Sequence, residues 1–315
     1  MLHILLMLAC KGDSPPDSDS GDSALPADPD PATVALNGDC PLSEDWGGFV
    51  VQSSTLSQEH GVDGKVADSI WPWAELEEIA AEGDCRLLRR NVPFCEGGCE
   101  AGTTCTFDGE CVPEPKNQDL GTVRVRGLVQ AVEMTPAIGN TYYDTSLPNP
   151  LATPGELIVL QTGDGSYGPQ TLYGVAVDPL VALDSEWLIA GGRDLQVSWE
   201  PPTSTPARAQ VALFVNMDVH GASPAALYCT FQDTGSGTVP GALIETLVEA
   251  GVTGFPSGRL NRRTVDSVDL DPGCMDFVVG SPVSVEVDVE GFTPCISTDD
   301  CPDGMTCDTE LQVCY

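Results

Sequence analysis

The sequence predicts a mainly β chain, an antiparallel β-sandwich flanked by two small disulfide-rich modules. Three observations predict it. Apolar and polar residues alternate through the middle of the chain, most clearly Val283, Val285, Val287 and Val289 against Ser284, Glu286, Asp288 and Glu290, and a period of two is what a strand with one buried face requires. Gly and Pro, 33 and 26 residues, break these runs at irregular intervals, as the turns and longer loops of a sandwich do. Two groups of four cysteines bracket the region, Cys95, Cys99, Cys105 and Cys111 before it and Cys295, Cys301, Cys307 and Cys314 after it.

The chain opens on an apolar run, Leu2, Ile4, Leu5, Leu6, Met7, Leu8 and Ala9, closed by Cys10 and followed by a polar stretch from Lys11 to Pro31. An apolar segment ending in a small residue and a cysteine looks like a bacterial lipoprotein signal, residues 1–10, with Cys10 accepting the lipid. It is far short of the roughly 20 apolar residues that cross a bilayer. Lys11, standing where an Asp would retain the protein at the inner membrane, points to the outer membrane of a Gram-negative bacterium. Residues 11–39 are rich in Asp, Ser, Pro and Ala and read as a disordered acidic tether, because they have little apolar surface to bury. Asp17, Asp19 and Asp22 resemble a calcium loop but lack its closing Glu, so they belong to the tether.

From Cys40 to residue 94 a small α+β unit is expected. Phe49, Val50 and Val51, then Val62 and Val66, give two short strands; Trp73, Leu76, Ile79 and Ala80 recur at helical spacing before Gly83 and give an amphipathic helix. The cysteine groups define knots over 95–117 and 293–315. Cys99, Gly102, Thr104 and Cys105 align with Cys301, Gly304, Thr306 and Cys307, so the knots are two copies of one module. Each has too few apolar residues to fold by burial, and its disulfides must supply the constraint, typically about 2 to 4 kcal/mol apiece. Residues 118–292 hold the sandwich, with strands expected near 122–126, 156–161, 171–178, 194–199, 210–215, 226–231, 274–279 and 283–290. One helix interrupts it, with Pro240 in its first turn, a stripe of Leu243, Ile244, Leu247 and Val248, and Gly251 as its stop.

Cysteine arithmetic agrees with export. Setting Cys10 aside from 13 cysteines leaves an even number, which forms disulfides in an oxidising compartment. Cys229 and Cys274, the two inside the sandwich, are expected to pair, and by elimination Cys40 pairs with Cys85. Within the knots alternating pairs are expected, Cys95 with Cys105, Cys99 with Cys111, Cys295 with Cys307 and Cys301 with Cys314, since neighbours would close loops too small to constrain much. Neither group has Cys-x-x-Cys knuckles, and no metal or cofactor is expected.

The lipid-accepting cysteine, acidic tether and knots, with the runs LQVSWEPP from Leu195, CTFQDTG from Cys229 and PCISTDDCPDGMTC from Pro294, resemble predicted cysteine-rich lipoproteins of myxobacteria and related deltaproteobacteria. The resemblance implies an envelope lipoprotein and supplies no catalytic residue.

With 13 Lys and Arg against 48 Asp and Glu, the formal charge of -35 opposes nucleic acid and anionic lipid surfaces. The partners left are the membrane through the lipid anchor, an envelope protein and a glycan. Asp233, Thr234, Gly235 and Ser236 spell the tetrapeptide of pepsin-like peptidases, yet such enzymes need two carboxylates sharing a proton, and the chain has no second copy. Asp233 therefore reads as a turn residue whose change to Asn costs at most about 1 kcal/mol. Asp218 and His220 point the same way on a strand, as a base with its orienting carboxylate or as two metal ligands, but no Gly-x-Ser-x-Gly or His-Glu-x-x-His accompanies them. Arg259, Arg262 and Arg263 form a basic cluster, read as local salt bridging. The expected role is non-enzymatic binding or structure at the cell envelope. Its alternatives are a carbohydrate-binding module, which needs exposed aromatic side chains, and an aspartic peptidase.

Overall fold

The computed structural model describes residues 28–54, 60–92, 94–203, 208–217 and 225–315, the side chain of Trp73 aside. The first strands are β1 (Asp45–Ser53), β2 (His60–Val66), β3 (Leu76–Glu82) and β4 (Cys85–Arg90), followed by the first knot with β5 (Thr103–Cys105) and β6 (Cys111–Pro113). Next come β7 (Val123–Arg126), β8 (Val132–Met134), β9 (Tyr142–Asp144), β10 (Leu157–Gln161), β11 (Thr171–Val175), β12 (Glu186–Ile189) and β13 (Leu195–Ser198). Then follow β14 (Gln210–Asn216), β15 (Ala225–Gln232), β16 (Ser236–Val239), α1 (Gly241–Glu249), β17 (Ser257–Asp269) and β18 (Cys274–Val289). The second knot carries β19 (Cys307–Asp308) and β20 (Val313–Cys314).

The spine is the long hairpin β17–β18, whose pairing runs unbroken from Ser257 opposite Glu286 to Asp269 opposite Cys274. Around it the large sheet is ordered β3-β4-β15-β14-β17-β18-β1-β2-β9, with β12 also on β18. The sheet is mixed, where an antiparallel one is expected, because β1 and β12 both join β18 in parallel, one on each half of its length. The runs at 274–279 and 283–290, separate by expectation, are this one strand.

Each half of the spine faces its own core. Phe49, Val51, Met275, Phe277 and Val279 pack against Val123, Val125, Ile158, Leu160 and Leu172 of the sheet β11-β10-β7-β8. Leu213, Val215, Leu227, Leu260, Val283 and Val285 pack against Trp187, Trp199, the β13–β16 pair and the stripe Leu243, Ile244 and Leu247 of α1. Each such side chain contributes about 1.5 to 3 kcal/mol by leaving water. The helix forms as expected, and Asp194 accepts the Gly241 N–H at 2.8 Å to satisfy one donor of its first turn.

The helix expected from Trp73 to Gly83 is instead the edge strand β3, paired with β4 from Leu76 opposite Arg90 to Glu82 opposite Cys85. A register shift between Glu78 and Ala80 breaks the period of two, which is why the run mimics helical spacing. Ile79 is left 47% exposed, and Glu77, Glu78 and Glu82 charge the open edge. β1 to β4 are thus part of the main sheet and do not form a separate unit.

Two disulfides differ from expectation. Cys85 and Cys229 are register partners across β4 and β15 and bond there, with Cα atoms 4.0 Å apart. Cys274 opens β18 beside Asp45 of β1, so Cys40, just upstream of β1, reaches it with a Cα separation of 5.8 Å. The knots pair as the alternating scheme expects, Cys95–Cys105, Cys99–Cys111, Cys295–Cys307 and Cys301–Cys314.

The stretch expected to be tether to residue 39 is docked from residue 28 onward. Arg126 holds Asp28 through two hydrogen bonds of 2.7 and 3.1 Å. Val34 is buried, Gly38 N–H donates to the Val265 carbonyl, and the Asn37 N–H donates to Asp266 at 2.9 Å. The other oxygen of Asp266 accepts the Tyr173 N–H at 2.9 Å, and Thr264 exchanges two hydrogen bonds with the backbone of Val175. These buried side chains of β17 satisfy the outer edge of β11 where no strand pairs with it.

Candidate functional site

Asp233 follows β15 and lies in a buried clamp. Arg262, on β17 with β14 between it and β15, donates from Nε to Oδ2 at 2.6 Å and from Nη2 to Oδ1 at 3.1 Å, and Trp199 Nε1 donates to Oδ1 at 2.8 Å. The two charged side chains are 1% and 5% exposed. Arg262 uses its remaining donors on the carbonyls of Asp178, Pro179 and Glu200. Gly235, at φ +101°, turns the chain so that its carbonyl accepts the Trp199 N–H at 3.0 Å. The tetrapeptide therefore builds an ion pair that ties three loops together. The carboxylate of Asp233 faces a guanidinium and an indole N–H, not a second carboxylate, and Asp233 is more than the turn residue expected of it.

Asp218 and His220 lie outside the described residues, as does Cys10. The basic cluster divides among separate carboxylate and amide partners. Arg263 pairs with Asp39 at 2.9 Å and donates to the Tyr228 hydroxyl, while Arg259 donates to Gln52 at 3.3 Å. The sulfurs of Cys95, Cys99 and Cys111, and of Cys295, Cys301 and Cys314, lie within 4.8 Å of one another, but each is consumed in a disulfide and has no thiolate to offer a metal.

Sequence reasoning missed the carboxylate of Asp276, whose partners come from distant parts of the chain. It accepts the Cys40 N–H at 2.8 Å. Burial, and then the neighbouring charge of Asp45, push its pKa up to about 7; Asp45 is itself raised, chiefly by burial. A carboxyl that keeps its proton in the folded state to about pH 7, but releases it near pH 4 when unfolded, stabilises most in acid. Stability is therefore expected to fall as pH rises from about 4 to 7, by on the order of 4 kcal/mol at most. Urea unfolding across that range should show a smaller fall in Asp276→Asn, whose amide oxygen still accepts from Cys40.

The aromatic residues do not form a platform among the described residues. Trp187 and Trp199 are core, and Tyr228 lies against Arg86 and Arg263. Of the exposed aromatics, Tyr143 lies on β9 and Phe214 on β14, while Phe94, Phe255 and Tyr315 lie in three separate segments outside the strands.

A cleft of about 300 Å³ opens where β18 passes from one core to the other. Val279, Gly280 and Ser281 form its floor with Val51 and Ser53 of β1; loop 150–154, Ala176, Val177 and Pro179 form the walls, and Val129 the rim. The wall is fixed by the clamp, since Arg262 donates to the Pro179 carbonyl at 3.0 Å and Ser281 Oγ accepts the Leu180 N–H at 3.0 Å.

No family model matches the chain, and no curated protein sequence does. Among solved structures it is similar to the FN1–FN3 domains of chicken CNTN1, at 9% identity, TM-score 0.19, and coverage of 67% of this chain and 66% of that one. It is similar also to a tri-modular GH5 endo-beta-1,4-glucanase from Bacillus licheniformis complexed with cellotetraose, at 12% identity, TM-score 0.21, covering 55% of this chain. The chain spans about a third, 34%, of that glucanase. Likeness at this level carries no argument about what the chain does.

Proposed function

We propose that the chain is a cell-envelope lipoprotein of the outer membrane, anchored through Cys10, whose stapled β body serves a binding or structural role. The observation that carries the reading is the complete pairing of the described cysteines. All twelve are bonded, in six bridges, leaving Cys10 as the odd residue, and disulfides persist where the compartment is oxidising. The run before Cys10, and the phrases that resemble cysteine-rich lipoproteins of myxobacteria, support the same address. No helix among the described residues is long and apolar enough to cross a membrane.

Expressed in a Gram-negative host, the chain should partition into detergent and fractionate with outer membranes. Cys10→Ser should release the body into the soluble fraction. A soluble wild-type protein, or one whose membrane association survives Cys10→Ser, contradicts the proposal.

A further inference from the structure

We infer that the cleft at the junction of the two cores binds a single neutral alkyl chain. The inference goes beyond the envelope reading and does not depend on the anchor. Among the described residues the lining carries no ionisable side chain, in a protein with 13 cationic and 48 acidic residues. Its serines have protein partners, Ser53 Oγ donating to Asn149 Oδ1 at 3.1 Å and Ser281 Oγ accepting from Leu180. A charged ligand entering it would lose hydration with no countercharge to replace it. No aromatic side chain among the described residues lines it either, and an aliphatic occupant matches its Val, Leu, Ala and Pro surface.

The size and the walls agree with that chemistry. A volume of about 300 Å³ lies at the small end of ligand sites, enough for one chain end. Walls set by a buried ion pair and by a strand of the spine keep the space open before any ligand arrives, which lowers the cost of binding. Val129, 65% exposed at the rim, extends the apolar path outward.

Calorimetric titration of the full chain carrying Cys10→Ser, which keeps the acyl chains of an anchor out of the experiment, tests the site with octanol and octanoate. Octanol should bind saturably to one site with a negative heat-capacity change, and ionised octanoate about tenfold or more weaker. Ala152→Phe, which fills the cleft, should abolish octanol binding. Val129→Asp, at an exposed position where folding is not at stake, should weaken it about tenfold. Absence of saturable octanol binding, octanoate binding as tightly as octanol, or octanol affinity unchanged in Val129→Asp would each overturn the inference. Because the anchor is removed throughout, failure here leaves the lipoprotein proposal standing, and failure of that proposal leaves this result unaffected.

Discussion

Arg262→Met is expected to cost about 3 to 5 kcal/mol, the range found when one member of a buried ion pair is removed and the other is left without its countercharge. The orphan is Asp233, 5% exposed, whose two oxygens would keep only the Trp199 N–H. Asp233→Asn should fall at the lower end of the same range, because the amide presents an NH₂ group toward a guanidinium that has only donors to offer. That is well above the about 1 kcal/mol expected of a turn residue. The double variant Asp233→Leu with Arg262→Met should cost less than the sum of Asp233→Leu alone and Arg262→Met alone, since neither charge is then stranded, and these three variants with the parent form the cycle. The double variant should still not restore the parent, as the carbonyls of Asp178, Pro179 and Glu200 and the indole of Trp199 lose their partners. Chemical unfolding of the four proteins measures the coupling directly, and additive effects would show that the pair is not a unit.

Replacing Cys40 and Cys274 together by Ser should lower stability by about 4 kcal/mol. The bridge spans 234 residues and encloses the Cys85–Cys229 ring of 144, so with the inner ring closed the outer one constrains roughly 90 residues. Loop-closure entropy for a ring of that length gives about 4 to 5 kcal/mol, and engineered cases commonly deliver less. The knot bridges, each closing a loop of 10 to 13 residues, should affect the body little and their own module greatly, because that module has no other core. Thermal unfolding with separate probes for body and knots distinguishes the two effects.

What was legible in the sequence was local. The alternation at Val283 to Val289 reports a strand because one face is buried and the other solvated, and α1 was legible because its stripe and its punctuation lie within a dozen residues. Spacing argued against neighbour pairing in the knots, because such loops are too short to constrain much, and the alternating scheme chosen from the two that remained is the one found. What escaped was set by distant partners. Leu76, Ile79 and Ala80 read as helical because a bulge in an edge strand shifts the parity, and only the neighbouring β4 makes that segment a strand. Cys40 finds Cys274 because β1 enters the sheet in parallel beside β18, a choice no local pattern encodes. Asp233 looked like a turn because Arg262, 29 positions away, reaches it only once β15, β14 and β17 are side by side. The cleft has no sequence signature at all, being lined from several separate segments.

The proposal of an oxidised, exported body hung from Cys10 is tested most directly by a non-reducing peptide mass map of the membrane-extracted protein. It predicts a mature chain beginning at Cys10 with a diacylglyceryl group, Cys40 linked to Cys274, Cys85 linked to Cys229, alternating links in both knots and no free thiol. Peptides linking Cys40 to Cys85, alkylatable thiols among the twelve downstream cysteines, or an unlipidated Cys10 would contradict it.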